Sequence, residues 1–339
     1  MVCLIQEKKA LNEKYRYLFG PVPSRRFGRS LGVDLTPYKT CSLDCVFCQL
    51  GRTRNKTVNR KEYVPVDTVL SEIEDWLKSN GKADYITLSG AGEPTLHSRF
   101  GEVLEFIDKN SAIPAVLLTN GTMLYLPEVQ EAAAKADVVK ISLSAWNQIS
   151  YGWVNRPHPK LRFDQLVEGQ KAFRAKFKGQ LWLEVFLVKG INSMPDDVRK
   201  IAAMAKEIKP DRIHLNTAVR PSAEDFVMAL SKKNMEILTH LFRPTAEIIA
   251  EYSHSRTPAV QADQDTIFSM LQRRPCTMEE ITDIFDMHIN EVSKHLGILI
   301  RSGRIRSEKK NSAIYYAAIR AEKKRKFQEG FNGVQNQKE

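Results

Sequence analysis

Short apolar runs alternate with amphipathic stretches along most of the chain, beginning at about residue 29. Between the runs, apolar residues recur at helical spacing in the stretches 66–80, 163–177 and 195–208. This alternation is the pattern of repeated β–α units around a parallel sheet. The six runs interpreted as strands are RSLGVDL (29–35), DYITLSG (84–90), IPAVLLT (113–119), DVVKISLS (137–144), LWLEVFLV (181–188) and DRIHLNT (211–217).

The number of units indicates an incomplete barrel, because a closed barrel of this kind has eight. We therefore expect an α/β fold, a partial (β/α)6 TIM-type barrel, followed by a small winged-helix domain. In such barrels the chemistry lies at the carboxyl ends of the strands.

A change of pattern after about residue 252 predicts the second domain. A helix from about 230 to 251 is expected to close the barrel, and 253–263 is interpreted as a linker. Three short amphipathic helices and a hairpin follow, which is the order of a winged helix. The predicted divisions are an N-terminal extension (1–28), the barrel (29–252), the winged helix (264–320) and a basic flexible tail (321–339).

The winged helix has a predicted apolar face and a basic hairpin. The apolar face is on its third helix, and the basic residues of the hairpin could hold phosphates without reading sequence. Winged helices also bind proteins and peptides, so both kinds of partner stay open. The face consists of Ile289, Val292, Leu296, Leu299 and Ile300, and the basic residues are Arg304, Arg306, Lys309 and Lys310.

Composition narrows the class of protein. The 339 residues are 42% hydrophobic, and no stretch approaches the roughly 20 apolar residues of a membrane span. The start turns charged too soon for a signal peptide, so we expect a cytoplasmic protein without a membrane partner. The formal charge of +11 is concentrated near both ends, which favours an anionic partner such as nucleic acid, although solubility explains it equally well.

The strongest chemical signal is CSLDCVFC, which places Cys41, Cys45 and Cys48 directly after the first predicted strand. Three thiolates on one short loop can bind three irons of a cubane cluster and leave the fourth iron open. A zinc site is the alternative, but tetrahedral zinc usually takes four ligands, and no further Cys or His lies close by.

The C-x3-C-x2-C spacing, with aromatic Phe47 before the last cysteine, resembles the radical S-adenosylmethionine (SAM) superfamily. The resemblance implies a [4Fe–4S] cluster whose open iron binds SAM. It also implies an electron donor such as flavodoxin or ferredoxin, and reductive cleavage of SAM to methionine and a 5′-deoxyadenosyl radical. The cofactor would carry the difficult chemistry, and the protein would place it and keep water out.

The same resemblance assigns residues at other strand ends to SAM. The segment LSGAGEPTL (88–96) is similar to the GGEP-type motif that binds the methionine ammonium. Asn120 closes the third strand, and Ser142 and Ser144 follow the fourth, where relatives place a polar residue for the ribose. The implied cofactor-binding set is Phe47, Gly90, Gly92, Glu93, Pro94, Asn120, Ser142, Ser144, Arg156 for the SAM carboxylate and Asn216 for the adenine side.

The substrate stays open among several classes. Residues 19–41, GAGEPTL and LNTAVRP resemble the wyosine-synthase-like branch of the superfamily, which favours a tRNA base. Archaeal wyosine synthases carry a second cluster on upstream cysteines, whereas only Cys3 lies upstream here, which favours a peptide or protein. Further hypotheses are an activating enzyme for a glycyl radical, with the winged helix as docking module, and a SAM- or redox-responsive DNA-binding regulator. No catalytic acid, base or radical relay can be assigned.

Overall fold

The computed structural model describes residues 14–24, 27–249, 263–310 and 313–319. Its contacts divide the described chain into two compact units, 14–249 and 263–319. Among the described residues, no helix is both long and apolar enough to cross a membrane.

The larger unit is built on an eight-stranded sheet with the order β1-β2-β5-β6-β7-β8-β9-β10. β1 pairs antiparallel with β2, and every other neighbouring pair is parallel. A second pair of two-residue strands, β3 and β4, lies outside this sheet. The strands are β1 (Leu18–Ser24), β2 (Gly28–Asp34), β3 (Thr40–Cys41), β4 (Asn55–Lys56), β5 (Tyr85–Ser89), β6 (Ala115–Leu118), β7 (Val138–Ser142), β8 (Gln180–Leu187), β9 (Arg212–Thr217) and β10 (Glu247–Ile248).

The helices occupy the amphipathic stretches between the strands. Where a proline starts a helix, its fixed φ suits the first turn and its missing N–H is not needed there, as at Pro127 and Pro195. The helices are α1 (Val66–Lys78), α2 (Phe100–Asn110), α3 (Pro127–Ala133), α4 (Gln148–Asn155), α5 (Phe163–Lys176), α6 (Pro195–Ile208) and α7 (Lys232–Thr239).

The mostly parallel sheet with intervening helices confirms the predicted partial barrel. All six apolar runs form strands, β2 and β5 to β9, and they read as continuous apolar runs because parallel strands are buried on both faces. Two edge strands, β1 and β10, extend the sheet beyond the prediction. The predicted helix over 230–251 was wrong in length: α7 ends at Thr239, and Pro244 lies before β10, where an α-helix cannot continue.

One face of the sheet changes from apolar to polar along the strands. Near the amino ends, Phe27 stacks on Trp182 and packs with Val116 and Val138. Two residues further along β7 and β8, a buried ion pair joins Lys140 to Glu184. Glu184 also accepts a hydrogen bond from Asn216 of β9, at 2.8 Å. Lys140, Glu184 and Asn216, here called the polar row, therefore lie between this apolar cluster and the carboxyl ends of the strands.

The smaller unit contains three helices followed by an antiparallel hairpin, the order that the winged-helix prediction requires. They are α8 (Gln264–Arg273), α9 (Met278–Phe285), α10 (Ile289–Arg301), β11 (Ile305–Lys310) and β12 (Ala313–Ala318). The name winged helix stays a prediction. On α10 the buried apolar residues are Val292, Leu296 and Leu299, whereas Ile289 and Ile300 are 43% and 44% exposed, so the predicted face was too wide.

The predicted domain boundaries stay predictions. Part of the predicted N-terminal extension, residues 18–24, forms β1 of the sheet. Residues 1–13, most of the predicted linker and the predicted basic tail at 321–339 lie outside the described residues. Of the predicted phosphate-binding residues, Arg304 forms an ion pair with Asp265 of α8 at 2.9 Å, and Arg306 pairs with Glu308 at 3.2 Å.

Candidate functional site

The cysteine loop begins at β3 and is closed by bonds within its own segment. Asp44 accepts a hydrogen bond from the backbone N–H of Thr53 at 2.6 Å, and the Thr53 hydroxyl donates to the carbonyl of Leu43 at 2.7 Å. The N–H of Cys48 donates to the carbonyl of Cys45 at 3.2 Å. The loop is also bound to the end of α4, because the N–H of Val46 donates to the carbonyl of Val154 at 3.0 Å. The three thiols are therefore held on a fixed backbone.

Each thiol of this loop accepts a hydrogen bond from a different side chain. The three donors come from the turn before β3, from the loop after β6 and from the end of α4. The contacts are Lys39 Nζ to Cys48 Sγ at 3.0 Å, Asn120 Nδ2 to Cys41 Sγ at 3.6 Å and Asn155 Nδ2 to Cys45 Sγ at 3.3 Å.

Burial and charge determine how these groups ionise. Burial raises the pKa of Cys41 to about 11, and the neighbouring Glu93 adds to the shift. Burial also raises the pKa of the Cys45 thiol. Burial opposes the charge of Lys39, but the three thiols, Cys48 foremost, raise the pKa of its ammonium above the ordinary value. Lys39 and the cysteines therefore share one electrostatic environment.

The described part of the chain shows no site for a single metal ion at the cysteines. Among the described residues, no three Cys, His, Asp or Glu side chains converge as they would around a single metal ion. A cubane cluster does not need such convergence, because each thiolate binds a different iron.

The glycines of the GAGEP segment pack against the strand and loop that lead to the cysteines. A Cβ on Gly92 would lie 2.0 Å from the carbonyl oxygen of Thr40, and a Cβ on Gly90 would lie 1.6 Å from Asp34 Oδ1. Gly90 also has φ +112°, which L side chains rarely adopt. The two glycines therefore leave room for the chain's own atoms, the Thr40 carbonyl and the Asp34 carboxylate.

Glu93 and Pro94 lie in the loop after β5, and the Glu93 carboxylate binds the loop after β6. The Glu93 carboxylate is 2% exposed and accepts hydrogen bonds from Thr95 N–H at 3.1 Å, Thr119 Oγ1 at 2.6 Å and Asn120 N–H at 2.8 Å. Burial raises its pKa, against the lowering effect of these bonds. Pro94 begins the 3-10 turn that follows. Glu93 therefore holds the loops after β5 and β6 together.

Asn120 and the two serines lie at the ends of β6 and β7. Asn120, Ser142 and Ser144 line one small cavity together with Asn155 and Tyr151. The Ser144 hydroxyl already accepts a hydrogen bond from the backbone N–H of Phe186 at 2.9 Å. The ribose assignment of both serines stays a prediction.

Phe47 and Asn216 contact other side chains of the barrel. The ring of Phe47 stacks on Phe186 of β8, with ring centres 3.9 Å apart and planes 8° apart. Asn216 belongs to the polar row described above, on the same face of the sheet as Phe186. The contact of Phe47 with the cofactor and that of Asn216 with the adenine side stay predictions.

Arg156 lies at the end of α4 in a left-handed conformation, with φ 45°. Its guanidinium donates to Glu224 Oε1 at 2.5 Å, and the same carboxylate forms an ion pair with Arg52 at 2.8 Å. A cavity of about 540 Å³ opens beside Arg156. Its lining consists of Gly152, Trp153, Arg156, Gly190, Ile191 and Phe226.

Lys39 and Asn155 were missed from the sequence, and Tyr151 was placed near a strand end without a role. Lys39 and Asn155 contact Sγ atoms, and Tyr151 is 1% exposed with no hydrogen-bond partner for its hydroxyl among the described residues. The lysine lies two positions before Cys41, so proximity could have indicated it. Nothing in the sequence indicated Asn155, which is 110 positions from Cys45.

Comparison with known proteins gives a family match and several relatives. The family model described as the Radical SAM superfamily matches residues 35–205, which include the three cysteines and β5 to β8. The chain is 35% identical over 320 residues to GTPase Obg of Brachyspira hyodysenteriae, covering 93% of this chain and 47% of that protein. It therefore spans less than half the length of that relative. It is 32% identical over 312 residues to a UPF0026 protein of Helicobacter pylori, covering 91% of this chain and 99% of that one.

Two further similarities are weaker. A dual-specificity RNA methyltransferase RlmN of a Caulobacter strain is 24% identical over 198 residues, covering 56% of this chain and 48% of that protein. A solved radical SAM methyltransferase from Sphaerobacter thermophilus has a TM-score of 0.49 and 15% identity over 67% of each chain.

Proposed function

The chain belongs to the radical SAM superfamily of enzymes, and from that premise we propose that Cys41, Cys45 and Cys48 hold its iron–sulfur cluster. The cofactors of the superfamily are a [4Fe–4S] cluster and SAM. When bound, they supply one-electron cleavage of the SAM sulfonium and a carbon radical that abstracts hydrogen.

The observation that carries this assignment is the surroundings of the three thiols. Iron takes thiolates, and N–H donors to sulfur together with a nearby cation offset part of the burial that raises the pKa values of Cys41 and Cys45. Each of the three sulfurs has such a donor, and the cation of Lys39 acts on all of them. The residues present therefore fit the cluster.

The remaining site residues would bind SAM and keep its environment dry. We propose that Arg156 binds the SAM carboxylate, since a guanidinium donates two parallel hydrogen bonds to such a group. The loop of Gly90 to Pro94 would present its backbone to the methionine end. We also propose that Ser142 and Ser144 contact the ribose and that Asn216 lies on the adenine side. Phe47 and Asn120 complete the proposed cofactor-binding set. A flavodoxin or ferredoxin would supply the electron.

We propose an RNA base as the substrate, with a tRNA base as the specific case. Two exposed aromatic rings, Trp153 at 58% and Phe226 at 53%, stand on the cavity beside Arg156. Exposed Lys56 and Lys189 adjoin this cavity, since Lys56 binds the carbonyl of Arg156 and Lys189 precedes Gly190. Aromatic faces stack unpaired bases and lysines hold phosphates, so this combination supports single-stranded RNA. The similarity to an RNA methyltransferase supports the same class.

A peptide or protein substrate is the second candidate. Met194 and Met228 are 60% and 55% exposed. Flexible methionines are common on surfaces that bind varied peptides, and this feature favours the second candidate.

The first test concerns the cluster and uses a matched cysteine. Cys41→Ala, Cys45→Ala and Cys48→Ala should each lose most of the iron after anaerobic reconstitution and should form no 5′-deoxyadenosine with SAM and dithionite. Cys276→Ala should keep both, because Cys276 is buried in the smaller unit. Full iron in all three loop variants would refute the assignment. Sequence-specific duplex binding without 5′-deoxyadenosine would favour the regulator hypothesis instead.

The second test identifies the substrate. RNA and protein from cells with and without the enzyme are compared by mass spectrometry, and a modification should be missing from the RNA pool. Trp153→Ala with Phe226→Ala should reduce that modification while SAM cleavage without substrate persists. Ile237→Ala, an equally exposed apolar residue on α7, is the control. A loss confined to the protein pool would establish the second candidate.

A further inference from the structure

Lys39 is the charged member of the three donors to the cysteine sulfurs. It is 3% exposed, so its ammonium is shielded from water that would weaken its field. The other two donors, Asn120 and Asn155, are neutral amides at 3.6 and 3.3 Å from their sulfurs. The lysine, at 3.0 Å from Cys48, is closer than either.

The backbone holds Lys39 in this place. The residue has φ 56°, a left-handed conformation that non-glycine residues adopt only where the surroundings impose it. Its N–H donates to the carbonyl of Ala91 at 2.6 Å, and its own carbonyl accepts the N–H groups of Arg54 and Asn55, each at 3.1 Å. Backbone hydrogen bonds therefore hold Lys39 in a strained conformation that places its ammonium beside the sulfurs.

We propose that Lys39 sets the reduction potential of the cluster by placing a fixed positive charge against its thiolates, with Asn120 and Asn155 as weaker neutral donors. This inference rests on the proposed function, because it requires that the three cysteines hold the cluster. One electron passes from a low-potential reductant, dithionite in the test, to the cluster, and the reductant is oxidised in the same step. The reduced cluster carries one more negative charge, so a nearby cation and N–H donors to sulfur stabilise it more than the oxidised form. Lys39 is a positioning residue that acts through the cluster.

The experiment separates the charge from the hydrogen bond. Lys39→Met removes both while keeping a similar length, Lys39→Gln keeps a donor without charge, and Lys39→Arg keeps both. Lys82→Met, at an exposed lysine before β5, is the matched control for net charge. Each full-length protein is reconstituted anaerobically, and the midpoint potential is measured by redox titration followed by electron paramagnetic resonance.

The equilibrium constant for one-electron reduction should fall about tenfold or more in Lys39→Met and Lys39→Gln, a midpoint more negative by about 59 mV per factor of ten. Lys39→Arg and Lys82→Met should stay at the wild-type potential. Asn155→Ala should shift in the same direction by a smaller factor. An unchanged potential in iron-loaded Lys39→Met overturns the inference and leaves the proposed function intact.

Iron content distinguishes the two kinds of failure. If Cys48→Ala keeps a complete cluster, the proposed function fails before the inference is reached. If folded Lys39→Met loses iron, the potential of iron-loaded Lys39→Gln decides, and an unchanged value there overturns the inference. If both lose iron, the potential of Asn155→Ala decides, and an unchanged value there overturns it.

Discussion

Phe47 of the cysteine loop lies flat on Phe186 of β8, with ring centres 3.9 Å apart. This contact joins the loop to the strand that also carries Glu184. Phe186 is 6% exposed and packs with Val46, Val188 and Ala218, so its ring is part of a core cluster.

Truncating these rings should separate stability from cluster binding. Phe186→Ala should lower the free energy of unfolding by about 3–5 kcal/mol, because it leaves a cavity in the core. Phe47→Ala should cost less, since its ring is only partly buried, but should loosen the loop and lower the iron content. Urea unfolding of the iron-free protein and iron analysis measure the two effects, and Phe226→Ala should change neither. Equal stability losses from both substitutions would contradict this view.

Two glycines should respond in opposite ways to alanine. In Gly92→Ala the new Cβ meets the Thr40 carbonyl oxygen at 2.0 Å, so the segment before Cys41 must move. We expect a loss of about 1–3 kcal/mol of stability, together with loss of iron. In Gly152→Ala the Cβ meets nothing within 4 Å, and alanine favours the helix α4 by about 0.5–1 kcal/mol. Thermal unfolding measures both, and a stable, iron-loaded Gly92→Ala protein would contradict the role of the close approach.

The ion pair of Arg156 with Glu224 predicts competition with SAM. If Arg156 binds the SAM carboxylate, its ion pair with Glu224 must break. Glu224→Gln should therefore tighten SAM binding. Arg156→Gln should weaken it about tenfold, which corresponds to about 1.4 kcal/mol. Calorimetric titration of the reconstituted enzyme gives the dissociation constants, with Arg162→Gln, an exposed arginine after α4, as the control. An unchanged constant in Arg156→Gln would remove this residue from the SAM site.

Asp84 predicts a pH dependence of stability. Hydrogen bonds from the Arg29 guanidinium hold the pKa of this carboxyl below its usual value, and the Arg29 N–H donates to it at 2.7 Å. Because the folded pKa is depressed, the stabilisation is present above the unfolded pKa of about 3.9 and is lost as pH falls through the folded value. Asp84→Asn should therefore be less stable than wild type at pH 7, and the difference should shrink at pH 3. Urea unfolding of the iron-free protein measures this, and a constant difference would be contrary evidence.

The fold was largely predictable because its strands are buried on both faces. The six runs show as apolar segments for that reason, and helices such as α1 show through their spacing. β1 (LFGPVPS) was missed because its glycine and prolines indicate a turn, although an edge strand tolerates proline. β10 is two residues long, which is too short for any pattern.

The sequence by itself determined the cysteine loop, because three cysteines on one short segment stay close together in any fold of the rest of the chain. Tertiary structure alone decided which side chains donate hydrogen bonds to those sulfurs and which predicted site residues already bind other residues of the chain. Asn155 reaches Cys45, and Glu224 reaches Arg156, only after strands and helices distant in sequence have packed at one edge of the sheet. Hydrogen bonds act over about 3 Å, and a sequence records residue types without such distances.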